Sequence, residues 1–169
     1  MNLKKLSLLF FLLIAIISAS IREYSFSRGD LTLDVSINPE KITLNESCEI
    51  VVILRNVGDR HVRVLPLVHQ VTLELRAYNE DGEELPYNGV VTMFKSITNR
   101  DLKVLEPGES IETKILCYPS TPCWNFTKPG RYKIRAVYNT SNYRGEHFLL
   151  PYWRGTIGNF TPITVVSDQ

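Results

Sequence analysis

Neither sign of charge dominates this chain. Lys and Arg number 19 and Asp and Glu 18 in 169 residues, a formal net charge of +1. No overall basic excess is therefore available to a nucleic-acid backbone, and there is no acidic tail. After the first twenty residues no apolar run is long enough to span a bilayer. No HExxH, paired CxxC or Gly-x-Ser-x-Gly motif occurs, and the nine glycines are scattered among turns, with no phosphate cradle. The histidines are His61, His69 and His147. His61 and His69 fall in one turn region, but a pair without a third ligand makes a poor metal site. Asp30, Asp59, Asp81 and Asp101 sit in predicted turns and Asp34 on an exposed strand face, so turn chemistry and solvation account for them. These absences predict a non-enzymatic protein with no cofactor and no metal. The ordinary composition, with 44% hydrophobic and 22% charged residues, excludes a disordered chain, a coiled coil and a collagen-like rod.

The amino terminus carries the one long apolar run. Lys4 and Lys5 precede Leu6–Ile17, which bears no charge, and Ser18-Ala19-Ser20 supplies small residues. A basic start, a short apolar stretch and a small-residue end predict a secretory signal over residues 1–20, cleaved after Ser20 or Ala19; the alternative is an uncleaved anchor. Cleavage would take the formal charge from +1 to −1 by removing Lys4 and Lys5. The expected location is secreted or extracytoplasmic, possible membrane contact being through that anchor alone.

Residues 21–169 alternate in polarity. Leu31, Leu33, Val35 and Ile37 interleave with Thr32, Asp34 and Ser36; Cys48, Ile50, Val52 and Leu54 repeat the pattern. So do Val71–Ala77, Ile111–Cys117 and Tyr132–Tyr138, the last with Arg131, Lys133 and Arg135 at the intervening positions. Shorter or weaker strands are expected at Val62–Val64, Val90–Phe94 and Ile163–Val165. Period two marks half-buried strands, and no helical period is present. Turn signals recur between the strands, the Asp81-Gly82 pair being a strong hairpin signal. The pattern predicts an all-β antiparallel sandwich of about seven to nine strands after a signal helix.

Pro129-Gly130-Arg131-Tyr132-Lys133-Ile134 resembles the start of strand F in immunoglobulin-like domains, where a Tyr turns its hydroxyl back to the upstream backbone. Tyr132 is that candidate. Ile134 stands where antibody domains place a cysteine, so the fold implied has no intersheet disulfide. A narrower resemblance runs through Leu54-Arg55-Asn56-Val57-Gly58-Asp59, Leu73-Glu74-Leu75, Asp81-Gly82, Leu105-Glu106-Pro107-Gly108-Glu109-Ser110 and Pro129-Gly130-Arg131-Tyr132. That order is similar to the small sandwich domains that include the bacterial intracellular proteinase inhibitor family, and to amino-terminal domains of some secreted metallopeptidases. It covers about half the chain and consists mostly of turns, which report fold more than function.

Cys117 and Cys123 flank Tyr118-Pro119-Ser120-Thr121-Pro122, a tight excursion that predicts a disulfide in an oxidising compartment, while Cys48 is expected as a small buried side chain. Sequons place possible N-glycans at Asn45, Asn125, Asn139 and Asn159. The segment 142–160 is long for a connection and rich in the residue types of protein-binding hot spots, so Tyr143, Arg144, Tyr152 and Trp153 are the partner-binding candidates. The competing expectation is that Trp153 caps the open end of the core and that Phe148–Leu150 adds an edge strand. Taken together, these features predict a secreted or cell-surface binding domain whose partner is an extracytoplasmic protein. The alternatives are a secreted peptidase inhibitor of the same fold and a structural subunit of a cell-envelope assembly.

Overall fold

The computed structural model describes residues 30–44, 46–90, 96–120, 122–141, 143 and 152–167. The predicted signal segment, Asn45, Arg144, His147, the 148–150 strand and most of the 90–94 strand lie outside them.

Two sheets face each other. One is built from β1 (Leu31–Asn38), β3 (Cys48–Asn56) and β8 (Ser110–Cys117), in the order β1-β3-β8. The other holds β2 (Lys41–Thr43), β5 (Leu73–Tyr78), β6 (Glu84–Leu85), β9 (Gly130–Asn139) and β10 (Thr156–Val166), in the order β2-β10-β9-β5-β6. A separate ribbon pairs β4 (Val62–Val64) with β7 (Lys103–Leu105). With β9 as strand F, its neighbours β5 and β10 occupy the C and G positions of an immunoglobulin-like sandwich, and β3 the B position. The all-β sandwich is as expected. Ten strands lie among the described residues, more than the seven to nine anticipated, because β2, β6 and β7 are two or three residues long and leave little periodic signal. The sheets are also not wholly antiparallel, since β2 runs parallel to β10 from Thr164↔Lys41 to Val166↔Thr43.

Alternation becomes burial. On β3, Cys48, Ile50, Val52, Leu54 and Asn56 face inward, with Ile50, Val52 and Leu54 fully buried. Across the core lie Ile134, Ala136 and Tyr138 of β9 and Leu73, Leu75 and Ala77 of β5. Each fully buried aliphatic side chain contributes about 1.5–3 kcal/mol. The Asp81-Gly82 turn reverses the chain between β5 and β6, with Gly82 at a φ of 82° that few side-chain-bearing residues adopt. β10 tolerates Pro162 for a geometric reason. Thr164 donates its N–H to Glu40 O at 2.9 Å on the β2 side. Pro162, two residues earlier, faces the same side before β2 begins to pair, so its missing N–H leaves no gap in the ladder.

Tyr132 forms the expected corner, its hydroxyl donating to Lys128 O at 2.9 Å while its ring packs against Phe126. Tyr132→Phe should cost about 1 kcal/mol in chemical denaturation, the net worth of one such bond, with no change in circular dichroism. A loss near zero would show the corner to be dispensable here.

Candidate functional site

The described residues of the predicted binding loop are largely spent on the fold. Trp153 is 1% exposed and stacks on Tyr138, ring centroids 5.8 Å apart and planes 22° from parallel. Its backbone N–H donates to Arg63 O at 2.7 Å, and its backbone carbonyl accepts the Thr140 hydroxyl at 2.9 Å. Gly155 is required beside it: a Cβ there would lie 2.6 Å from the indole. Tyr152 is also buried, in a small second core with Leu65 and Ile97 that Tyr143 borders. Tyr143 Oη accepts the Ile97 N–H at 3.0 Å, and Tyr152 Oη donates to Tyr143 O at 3.3 Å. Trp153 is thus corrected from a partner-binding residue to a core cap, because its whole ring is needed to close the sandwich over Tyr138. Tyr143 and Tyr152 are brought together in that second core, Tyr152 buried and Tyr143 half-buried.

The disulfide Cys117–Cys123 is formed. In the entropic account a loop this short gains about 2 kcal/mol from closure. Cys48 is free and buried, and burial pushes its thiol pKa up. It sits directly opposite Cys117 in the β3–β8 ladder. A cavity of about 30 Å³ lies among these cysteines, Trp124, Phe126 and Ile134, room for little beyond a water molecule. Of the sequon asparagines, Asn125 and Asn159 are exposed. Asn139 is half-buried, and its Oδ1 accepts the Ser141 N–H at 3.1 Å and the Thr156 hydroxyl at 3.0 Å.

His69 stands edge-on to Tyr87, 4.8 Å between centroids, and its buried Nε2 has no hydrogen-bond partner among the described residues. Burial lowers its pKa. The unfolded chain then takes up the proton at higher pH than the folded one, so stability is full above the ordinary histidine range and falls as pH drops through it. His69→Phe keeps a ring and removes the titration. The loss of melting temperature between about pH 7.5 and about pH 5.5 should shrink in this variant; an unchanged loss would assign the acid sensitivity elsewhere.

A second arrangement of charged and aromatic side chains lies on the outer face of the five-stranded sheet. Register aligns its rows. Lys41, Thr164 and Arg131 form one; Pro162, Lys133 and Tyr78 the next; Phe160, Arg135 and Arg76 the third. Phe160 is 52% exposed, its ring under the Arg135 guanidinium at 5.3 Å and 6.3 Å from the Tyr78 ring. Arg76 and Arg135 are direct cross-strand neighbours, a repulsive arrangement for like charges. Glu74 and Glu84 relieve Arg76, at 2.7 Å and 3.3 Å. The Glu74 hydrogen bond and charge hold its proton more firmly than in a free guanidinium. Among the described residues, Lys41, Arg131, Lys133 and Arg135 have no ion-pair partner. Sequence reasoning placed the β9 cations on an exposed face but did not see them as a site. Their signal was the spacing i, i+2, i+4; the aromatic beside them comes from β10, far along the chain.

The fold and this face together define an immunoglobulin-like β-sandwich with one cationic, partly aromatic sheet surface. No family model and no curated protein matches the chain. Solved structures that resemble it include the CARDB domain of a Pyrococcus furiosus protein, at 19% identity and a TM-score of 0.42 over 85% of this chain and 99% of that domain. The sporulation control protein Spo0M of Bacillus subtilis shows 13% identity and a TM-score of 0.45, over 83% of this chain and 51% of Spo0M. A β-glucosidase of Erythrobacter marinus shows 16% identity and a TM-score of 0.39, over 85% of this chain and 16% of the enzyme. The chain thus spans about half of Spo0M and a small part of the glucosidase. Likeness at this level says nothing of activity, and the fold class rests on the strand order and the tyrosine corner.

Proposed function

We propose that the chain is a non-enzymatic binding domain, secreted or held at the cell surface, that acts by non-covalent contact with another extracytoplasmic protein. The observation that carries this reading is the outer face of β10, β9 and β5, where Phe160, Arg131 and Lys133 stand in solvent, the two cations without an ion-pair partner among the described residues. Arg, Tyr and Phe are enriched in interface cores. The Cys117–Cys123 bridge is consistent with an oxidising, extracellular setting, and the basic and apolar residues before Ser20 supply the export signal. Asn125 and Asn159, both exposed, are the better placed sequons for glycans.

Cross-linking with mass spectrometry on intact cells tests the reading. Lys133 and Lys41 should appear in cross-links to one other protein, and Phe160→Ala should deplete those links while leaving the melting temperature near wild type. Cross-links confined to the β1-β3-β8 sheet would overturn this choice of surface. The identity of the captured protein also separates the alternatives: a peptidase would support inhibition, as the sequence resemblance to proteinase inhibitors suggests, and a large envelope complex would support a structural subunit.

A further inference from the structure

We infer that the partner offers this face an extended acidic polypeptide segment, with carboxylates at alternate residues meeting Arg131, Lys133 and Arg135. The inference rests on the binding-domain reading above and adds the chemistry of what is bound.

Charge is the first reason. The whole chain is near neutral, yet this one face gathers Lys41, Arg76, Arg131, Lys133 and Arg135. Of the nearby carboxylates, Glu74 and Glu84 hold Arg76, while Glu80 accepts the backbone N–H of Arg131 at 3.2 Å and keeps its charge at that end of the row. Four cations remain over without an ion-pair partner among the described residues: Lys41, Arg131 and Lys133, which are exposed, and Arg135, which is half-buried against Phe160. Two of the three β9 cations are arginines, whose forked donors match a planar carboxylate better than an ammonium does.

Pitch is the second. Arg131, Lys133 and Arg135 project from one strand at every second residue, a repeat of about 6.6–6.8 Å. An extended polypeptide repeats its same-side side chains at the same interval, so acidic residues at i, i+2 and i+4 meet the three cations in step. Anionic glycans carry their charges on a ring repeat, and lipid headgroups have no fixed spacing. Neither has this correspondence with a strand. The ridge of Phe160 and Tyr78 beside the cations offers apolar contact to the aliphatic stems and intervening side chains of such a segment.

The test uses the full-length protein recovered from a secreting host, titrated against a fluorescent peptide of alternating Glu and Thr, with heparin and phosphatidylserine–phosphatidylcholine vesicles as parallel probes. The peptide should bind saturably. The pair Lys133→Glu and Arg135→Glu should weaken it about tenfold or more, and Phe160→Ser should weaken it less, each variant melting within a few degrees of wild type. Should the charge reversal unfold the protein, Arg131→Gln with Lys133→Gln serves in its place. Equal peptide binding by wild type and charge-altered protein overturns the inference. Binding of heparin or vesicles without the peptide does so too, and assigns the face to a glycan or a membrane. A native partner that cross-links through Lys133 by a neutral segment overturns the acidic chemistry and leaves the binding reading standing. Cross-links found only on the opposite sheet overturn both.

Discussion

Trp153→Ala should lower the free energy of unfolding by about 3–5 kcal/mol, the range for removing a large aromatic from a core that cannot collapse around the gap. Collapse is resisted on three sides. Tyr138 lies flat against the indole and is itself fixed by its hydroxyl bond to Leu65 O at 2.9 Å. The flanking backbone is pinned through Arg63 O and Thr140. Gly155 packs so closely that it has no side chain with which to fill the space. Urea titration with tryptophan fluorescence would measure the loss, Trp124 remaining as the reporter. Wild-type stability combined with loss of partner capture would reinstate Trp153 as a binding residue.

Asn56→Ala should cost about 2–4 kcal/mol, on the basis that each buried polar group left without a partner costs about 1–3 kcal/mol. The Asn56 side chain is fully buried. Its amide donates to Arg60 O at 2.7 Å and to Leu105 O at 2.9 Å, and its Oδ1 accepts the Gly58 N–H at 3.0 Å. One side chain thus ties the β3–β4 turn to the end of β7. Asn56→Asp separates the two halves of this network. It keeps the acceptor for Gly58 and turns both donors into a carboxylate facing two carbonyls, so it should be at least as damaging as alanine. A mild aspartate variant would mean that the Gly58 bond alone matters.

The parts of this fold that could be read from the sequence are those where a local period and burial coincide. β1, β3 and β8 alternate in burial throughout and β9 does so up to Ala136, and a one-residue slip of β3 would expose Ile50, Val52 and Leu54. Asn56 was legible as a turn residue and no more, since nothing local shows that Leu105 will approach from 49 residues away. β10 was legible only at Ile163 and Val165. Gly158, Asn159 and Pro162 break its pattern, and ten residue pairs with β9 hold it extended regardless. The burial of Trp153 was not legible for another reason: tyrosine and tryptophan serve interfaces and cores equally well, and Tyr138, on which it stacks, belongs to β9. The cationic face was half visible, its β9 row stated by spacing and its Phe160 and Lys41 neighbours supplied by topology.

Cys48 faces Cys117 across the β3–β8 ladder, yet it is Cys123 that Cys117 bonds. Directly opposed residues in an antiparallel pair stand about 4.5–5.5 Å apart at Cα, within the reach of a sulfur bridge. Reduction of the native bridge therefore leaves Cys117 a choice of two partners, and reoxidation that chose Cys48 would staple the two strands and leave Cys123 as a loose thiol.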